Sequence, residues 1–262
     1  MRILITGAAG FIGGELIKKM NQLGYEDIVM VDNPDLLRTK DNIFSDFIDY
    51  KELLNPFDFS FLDKVDFCFH IGANSSTRAS FNEVYHQNIK FSRNLIDECV
   101  KRQIPVVFAS SGAIYGSNRA KNDSPDPLTF YGQSKLITEK YIALSNFKNV
   151  VCLRYHNVYG PSEHHKGNMS SIISKWMMSY FEGEKSNVLF EGSDSILRDF
   201  VHVDDINKVN LMFLDYYKLH KKLPDIQIYD VGTGNAVSFQ NVAVEIIKHT
   251  HGEIKYVPNP YN

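Results

Sequence analysis

The sequence predicts an α/β protein: a doubly wound parallel sheet carrying a smaller, interleaved lobe. Three observations predict it. Short β-branched or apolar runs alternate with longer amphipathic ones, which is the rhythm of a parallel sheet covered by helices on both faces. A glycine-rich turn joins the first apolar run to the first amphipathic one. The rhythm then fails after Tyr159-Gly160-Pro161, where polar, His-rich sequence takes over.

Taken in order, Ile3-Leu4-Ile5 reads as the first strand, Ile12 to Leu23 as a helix stopped at Gly24, and Ile28 to Val31 as a second strand ending at Asp32. Ile43 to Phe47, Val65 to His70, Val106 to Ala109, Val150 to Arg154 and Ile226 to Val231 are further strand candidates, giving a sheet of about seven or eight strands. Helical periodicity runs from Phe81 to Arg102 and from Phe130 to Asn146. Beyond Pro161 the pattern predicts a helix around Met169 to Glu182 and a strand at Val188 to Phe190 before a Gly-Ser turn, all outside the sheet. No repeat or Pro/Gly/Ser linker separates independent domains. The expected division is 1–155 with 197–231 as a dinucleotide-binding domain, and 156–196 with 232–262 as a substrate-binding lobe.

Composition narrows the function classes. Of 262 residues, 44% are hydrophobic and 23% charged, which excludes a disordered or collagen-like chain. A net charge of −3 supplies no overall positive field for nucleic acid or anionic lipid. Cys68, Cys99 and Cys152 lie in apolar or helical stretches without C-x-x-C spacing and read as buried thiols of a reducing, cytoplasmic compartment. No apolar run reaches the ~20 residues that cross a bilayer. The start, Met-Arg-Ile-Leu-Ile-Thr-Gly, lacks the pattern of a signal peptide. The expected partner is therefore a small molecule, with no nucleic acid and no membrane.

Thr6-Gly7-Ala8-Ala9-Gly10-Phe11-Ile12-Gly13 stands between strand and helix, where glycines permit a tight turn and bring backbone N–H groups up to a pyrophosphate. The spacing G-x-x-G-x-x-G is weak alone, and a ligand-free packing turn is its other reading. Asp32, 19 residues after Gly13 at a strand end, suits an adenosine ribose hydroxyl. Together they specify a Rossmann-type fold. Asp32 favours NAD, whereas Asn33, Arg38 and Lys40 would admit the 2′-phosphate of NADP, or are solvated loop residues. Ile71-Gly72-Ala73 provides a second close backbone approach at the carboxyl edge of the sheet.

Tyr131 and Lys135 open a helix four residues apart and so share one face. A fixed ammonium beside a phenol lowers its pKa toward the range of a useful base. Ser111, just past a strand, is placed to share the proton of a substrate hydroxyl. Such a Tyr/Lys pair also occurs by accident on surface helices; the glycine loop and the Ser-rich strand end argue for chemistry. The histidines near Glu163, with His202, lack metal-ligand spacing, so no metal is expected.

With these motifs the chain resembles the extended short-chain dehydrogenases/reductases, the NAD-dependent epimerase/dehydratase family, and within it the ADP-L-glycero-D-manno-heptose 6-epimerases. Leu153 to Pro161, His165 to Met169, Leu189 to Ser193, Arg198 to Val201, Val231 to Gly234 and Ser238 to Gln240 carry the likeness. It implies a nucleotide-sugar epimerase of lipopolysaccharide biosynthesis: transient oxidation at C6 with bound NADP, or NAD, then re-reduction on the opposite face. It makes Ser111, Tyr131, Lys135 and Lys166 catalytic, Lys166 being the second acid/base that inversion requires. Read from the residues, Lys166 is a loop lysine that is either exposed or desolvated enough to titrate. By the same resemblance Gly7, Gly10, Phe11, Ile12, Gly13, Asp32, Asn33, Arg38, Gly72, Ala73, Ser75, Asn88, Lys135 and Val158 match cofactor contacts. Asn157, Asn168, Phe190, Glu191, Gly192, Ser193 and Arg198 match substrate contacts. Arg198 independently suits a diphosphate, or pairs with Asp194 or Asp199; Asn88 otherwise packs or caps a helix. The family implies a homo-oligomer formed through the helices at Phe81 to Arg102 and Phe130 to Asn146.

Three departures qualify the likeness. Asn168 stands where the family has serine and Lys175 where it has histidine, and the sequence stops at Asn262, before a substrate segment and final helix of the relatives. A UDP-hexose 4-epimerase and a non-catalytic dinucleotide binder are the alternative readings. A 4,6-dehydratase would need Asp-Glu after the serine, where Gly112-Ala113 stands.

Overall fold

The computed structural model describes residues 1–36, 41–54, 58–116, 124–184 and 186–258, apart from the side chains of His164 and Asn168. The chain forms two compact units, one of 1–155 with 204–231, the other of 156–203 with 232–262.

In the first unit, β1 (Ile3–Thr6), β2 (Ile28–Asp32), β3 (Asp46–Asp49), β4 (Phe67–His70), β5 (Val106–Ser111), β6 (Val150–Tyr155) and β10 (Ile228–Val231) form one seven-stranded sheet, in the order β10-β6-β5-β4-β1-β2-β3. Every pairing is parallel. All of β1 and β4 is buried, as are the first five residues of β5, which explains why these strands read as apolar runs rather than as an alternation. The order reverses between β1 and β4, and open α/β sheets bind ligands in the crevice at such a switch point.

Helices α1 (Phe11–Gln22), α4 (Phe130–Leu144) and α6 (Val203–His220) belong to this unit. The region expected as one helix from Phe81 to Arg102 is instead α2 (Phe81–Val84), a π-helical segment (Tyr85–Lys90) and α3 (Phe91–Lys101). Ser80 opens it with a capping box, its Oγ accepting from Glu83 N while Glu83 reaches back to Ser80 N. The strand expected at Ile43 to Phe47 starts later. Asn21 donates to Ile43 O at 2.9 Å and accepts from Ile43 N at 2.8 Å, holding that residue in a loop before pairing begins at Asp46.

The second unit holds a three-stranded sheet, in which β9 (Leu197–His202) lies between β7 (Asn157–Tyr159), parallel to it, and β11 (Ala236–Ser238), antiparallel. A two-stranded parallel ribbon joins β8 (Ser186–Phe190) to β12 (Glu253–Val257). Trp176 of α5 (Ile172–Phe181), Leu189 and Ala243 of α7 (Phe239–Thr250) form its apolar centre. Residues 197–203, expected in the first domain, belong here because β9 takes both its partners from this unit. Helix α5 begins at Ile172, later than Met169, because residues 164–169 wind as 3₁₀ turns and Ser171 supplies the cap, accepting from Ser174 N at 3.1 Å.

Candidate active site

The glycine loop leaves β1 at the switch point. Gly7 has φ +68°, and a Cβ there would stand 2.6 Å from Gly72 Cα, so the loops after β1 and β4 meet backbone to backbone. Only two glycines permit that approach. Gly10 caps α1 without a side-chain hydrogen bond, and no acidic residue occupies the first turn, leaving its amides and dipole directed at the crevice. Gly13 faces the Gly7 carbonyl, while Phe11 is buried and Ile12 half-buried behind the turn. This cradle, which side chains would fill, fits a dinucleotide pyrophosphate.

Asp32 shapes the loop from β2: its Oδ2 accepts from Ala9 N at 2.8 Å and its Oδ1 from Asn33 N at 2.7 Å. The carboxylate thus shapes the loop and is not dedicated to a ribose hydroxyl. Arg38 and Lys40 lie outside the described residues.

Below the loops is a group that motif spacing does not reveal. Gly72 N donates to Thr6 Oγ1 at 3.0 Å, Thr6 Oγ1 lies 2.6 Å from His70 Nδ1, and His70 Nε2 lies 2.8 Å from Ser92 Oγ on α3. His70 has no exposed surface; burial, with the Lys135 charge adding to it, pushes its pKa down to about 3. The ring is neutral, and it joins both glycine loops to a helix. Asn88, in the π-helical segment, works similarly. Its Oδ1 accepts from Asn74 N at 2.7 Å, and its Nδ2 donates to Asn74 O and Ser134 Oγ, both at 3.0 Å. These bonds describe the packing reading of Asn88: the amide ties the β4 loop to α4. Ala73 and Ser75 lie half-buried in that loop.

Tyr131 and Ser111 are brought together. Thr129 caps α4, accepting from Gly132 N at 3.1 Å, and a Cβ on Gly132 would sit 2.7 Å from Ala113 O, so the helix start presses against the turn that follows β5. Across this contact the Ser111 hydroxyl comes near enough to Tyr131 to act on its phenol. Burial raises the phenol pKa and the Ser111 hydroxyl opposes the rise. Here the expected electrostatics are corrected. Lys135 Nζ, 3% exposed as a residue, donates to Ala109 O at 2.6 Å and lies 6.0 Å from the centre of the Tyr131 ring. Burial brings its own pKa down to about 7, against the pull of Glu139, and the raised Tyr131 pKa owes nothing resolved to it.

In the second unit, Lys166 is half-buried on the loop after β7; burial lowers its pKa and Glu163 opposes the shift. Asn157 is exposed and Val158 half-buried on β7, and the Asn168 side chain lies outside the description. Phe190, Glu191 and Gly192 are exposed, whereas Ser193 is 3% exposed with no hydrogen-bond partner for its Oγ among the described residues. Arg198 is exposed, donating to Leu197 O, and no ion pair among the described residues engages it. Asp199 is occupied with Thr233 and Gly234, whose bonds hold its carboxyl below the usual range although burial works to raise it. Glu163, buried, is likewise absorbed by backbone and serine donors. Among the described residues no group of three His, Cys, Asp or Glu is arranged to hold a metal ion.

A phosphate cradle at the switch point and a hydroxyl pair at the end of β5 define an enzyme of the dinucleotide-dependent class. The NAD-dependent epimerase/dehydratase family model matches residues 3–232, and the chain belongs to that family. It is 36% identical over 277 residues to the ADP-L-glycero-D-manno-heptose-6-epimerase of Alkalilimnicola ehrlichii, covering 98% of this chain and 84% of that one. The crystal structure of the Helicobacter pylori enzyme of the same name is similar, with a TM-score of 0.81 and 28% identity over 98% of this chain and 85% of that one. MoeE5 in complex with UDP-glucose and NAD matches with a TM-score of 0.79, also at 28% identity and with the same coverage. The class is that of NAD(P)-dependent nucleotide-sugar epimerases.

Proposed function

We propose that the protein interconverts the two C6 epimers of an ADP-glycero-manno-heptose, in the pathway that supplies lipopolysaccharide. The observation that carries the reading is the close packing of the α4 start, with Tyr131, on the turn beside Ser111 at the carboxyl end of β5, with Lys135 buried one turn along the same helix. The 36% relative supports the sugar.

Bound dinucleotide would accept hydride from the sugar carbon and later return it to the opposite face. Tyr131 is the base that takes the proton of the C6 hydroxyl as the carbonyl forms, and Ser111 donates to the same oxygen. Lys135 would help hold the dinucleotide. Lys166 handles the proton on the other face, so that each turnover leaves the sugar inverted and the dinucleotide as it began. Gly7, Gly10, Gly13, Gly72, Phe11 and Ile12 would hold the pyrophosphate, with Asp32, Asn33 and Arg38 at the adenosine. The dinucleotide is NADP, as the family resemblance implies, or NAD, which Asp32 favours. Arg198, exposed and without an ion pair among the described residues, suits the ADP diphosphate.

Exposed Phe81, Tyr85, Phe130, Ile137 and Leu144 along α2 to α4 support pairing of subunits through those helices. The three buried thiols fit a cytoplasmic setting. No helix among the described residues is long and apolar enough to cross a membrane.

Incubation of either ADP-heptose C6 epimer with the protein, followed by NMR, should show interconversion that Tyr131→Phe abolishes while dinucleotide stays bound. Full dinucleotide occupancy, identified by mass spectrometry, without exchange would overturn the reading. Turnover of UDP-glucose instead would favour the hexose 4-epimerase alternative, which the UDP-glucose complex of the 28% relative motivates.

A further inference from the structure

We infer that Glu163 is the positioning residue of the second acid/base, fixing the loop that carries Lys166. The inference rests on the epimerase reading of Lys166.

Glu163 is 1% exposed, and a carboxylate so buried is tolerated only when its lone pairs are filled. They are filled from the two ends of one loop. Oε1 accepts from Gly160 N at 3.1 Å and Ser171 Oγ at 2.8 Å, and Oε2 accepts from Ser171 N at 2.6 Å. Gly160 follows the last residue of β7, and Ser171 is the cap of α5. The Glu163 carbonyl takes two more bonds inside the loop, from Lys166 N at 2.9 Å and Ser170 Oγ at 2.8 Å. One residue therefore closes the segment 160–171 and also bonds the backbone of Lys166.

A cavity of about 270 Å³, lined among others by Tyr159, Gly160, Glu163, Ser174 and Met177, opens beside the loop. Glu163 is not needed to start the helix, since Ser171 Oγ already accepts from Ser174 N. A left-handed Gly167, φ +51°, follows Lys166, so without the anchor the backbone next to the lysine has freedom to swing. The lowered pKa of the half-buried Lys166 agrees with a lysine held out of solvent.

The test uses full-length protein with its dinucleotide. Glu163→Gln keeps the shape but sets an amide NH₂ against a backbone or hydroxyl donor. Displacing a reacting group by about 1 Å costs up to a hundredfold, so kcat for heptose epimerisation should fall about ten- to a hundredfold, with KM and dinucleotide content little changed. The decisive readout is a double-mutant cycle. On a Lys166→Met background, Glu163→Gln should add less than about twofold, because both changes remove one function. Ser170→Ala, which cuts only the bond to the Glu163 carbonyl, provides a milder variant with the same expected non-additivity should Glu163→Gln fail to fold.

Full multiplication of the two losses would overturn the inference alone and leave the epimerase reading standing. An active wild-type enzyme indifferent to Lys166→Met would remove the lysine's role, and with it the role given to Glu163. A wild-type protein that epimerises no nucleotide sugar would overturn the reading on which both depend.

Discussion

His70 is a single residue whose environment can be read in solution. Its imidazole is neutral because burial, helped by Lys135, brings the folded-state pKa from 6.5 to about 3. The unfolded chain takes up a proton as pH falls through 6.5, and the folded chain does not until about 3. Stability is therefore lost across that window, at up to about 1.4 kcal/mol per pH unit. Urea midpoints of wild type and His70→Gln between pH 7 and 4.5 should diverge by this slope, and parallel curves would show that the ring charges in the folded protein. The sequence marked this position only as a strand end, since its partners Thr6 and Ser92 are 64 and 22 residues away along the chain. Ser111 and Tyr131 were legible because strand-end and helix-start positions are local patterns. The separation of Lys135 from the phenol was not, because the ammonium is drawn to the Ala109 carbonyl by a tertiary contact no spacing encodes.

Between elements, the contact of α4 with the turn after β5 sets the hydroxyl pair. Gly132 makes it close, and a methyl group there would meet Ala113 O at 2.7 Å and Pro127 Cβ at 3.0 Å. Neither is the end of a flexible side chain, so the helix start must back away. Gly132→Ala should lower kcat about tenfold or more while costing about 1–3 kcal/mol of stability. Steady-state kinetics beside a urea titration checks both; unchanged kcat would mean the Ser111–Tyr131 geometry does not depend on this approach. Strands β1, β2, β4, β5 and β6 were legible from the sequence because burial on both faces writes them as apolar runs. The π-helical break at Tyr85–Lys90 was hidden, since within it Asn88 pairs with Asn74 through a contact between separate elements that no local period encodes. The short β7 and β11 are three residues each, too brief for any period to register. Helices α6 and α7 also went unread. In α6, polar Asn207 and Asn210 are buried and interrupt the apolar face, whereas α7 carries Phe239, Val242, Ala243 and Ile246 at helical spacing, a period that was present in the sequence.

For the molecule as a whole, the sequence sets the first passage out of the sheet after residue 155, where the strand pattern gives way to polar loops and the first unit's first segment ends. It missed the return at 204, because β9 looks like any other strand until its neighbours are known. The interleaving has an energetic consequence. Glu139 on α4 accepts from Ser110 of β5 and holds Arg154 of β6 through Nε and Nη2; Arg154 Nη1 donates to Tyr115, whose hydroxyl donates to Asp230 of β10. The Glu139 and Arg154 side chains are 2% and 12% exposed, and stripping a partner from a pair buried this deeply costs about 3–5 kcal/mol. Residues 1–155 alone would leave Tyr115 without Asp230 and β6 with an open edge where Ile228–Val231 should pair. That fragment should aggregate or unfold without a cooperative urea transition and should bind no dinucleotide, although it contains the whole glycine cradle. Restoring 204–231 through a short flexible linker in place of 156–203 should recover both the transition and dinucleotide binding, because α6 and β10 complete the sheet. Cooperative folding of 1–155 by itself, with dinucleotide affinity near that of the full chain, would show that the return segment is an accessory and that the first unit is already complete where the chain first leaves it.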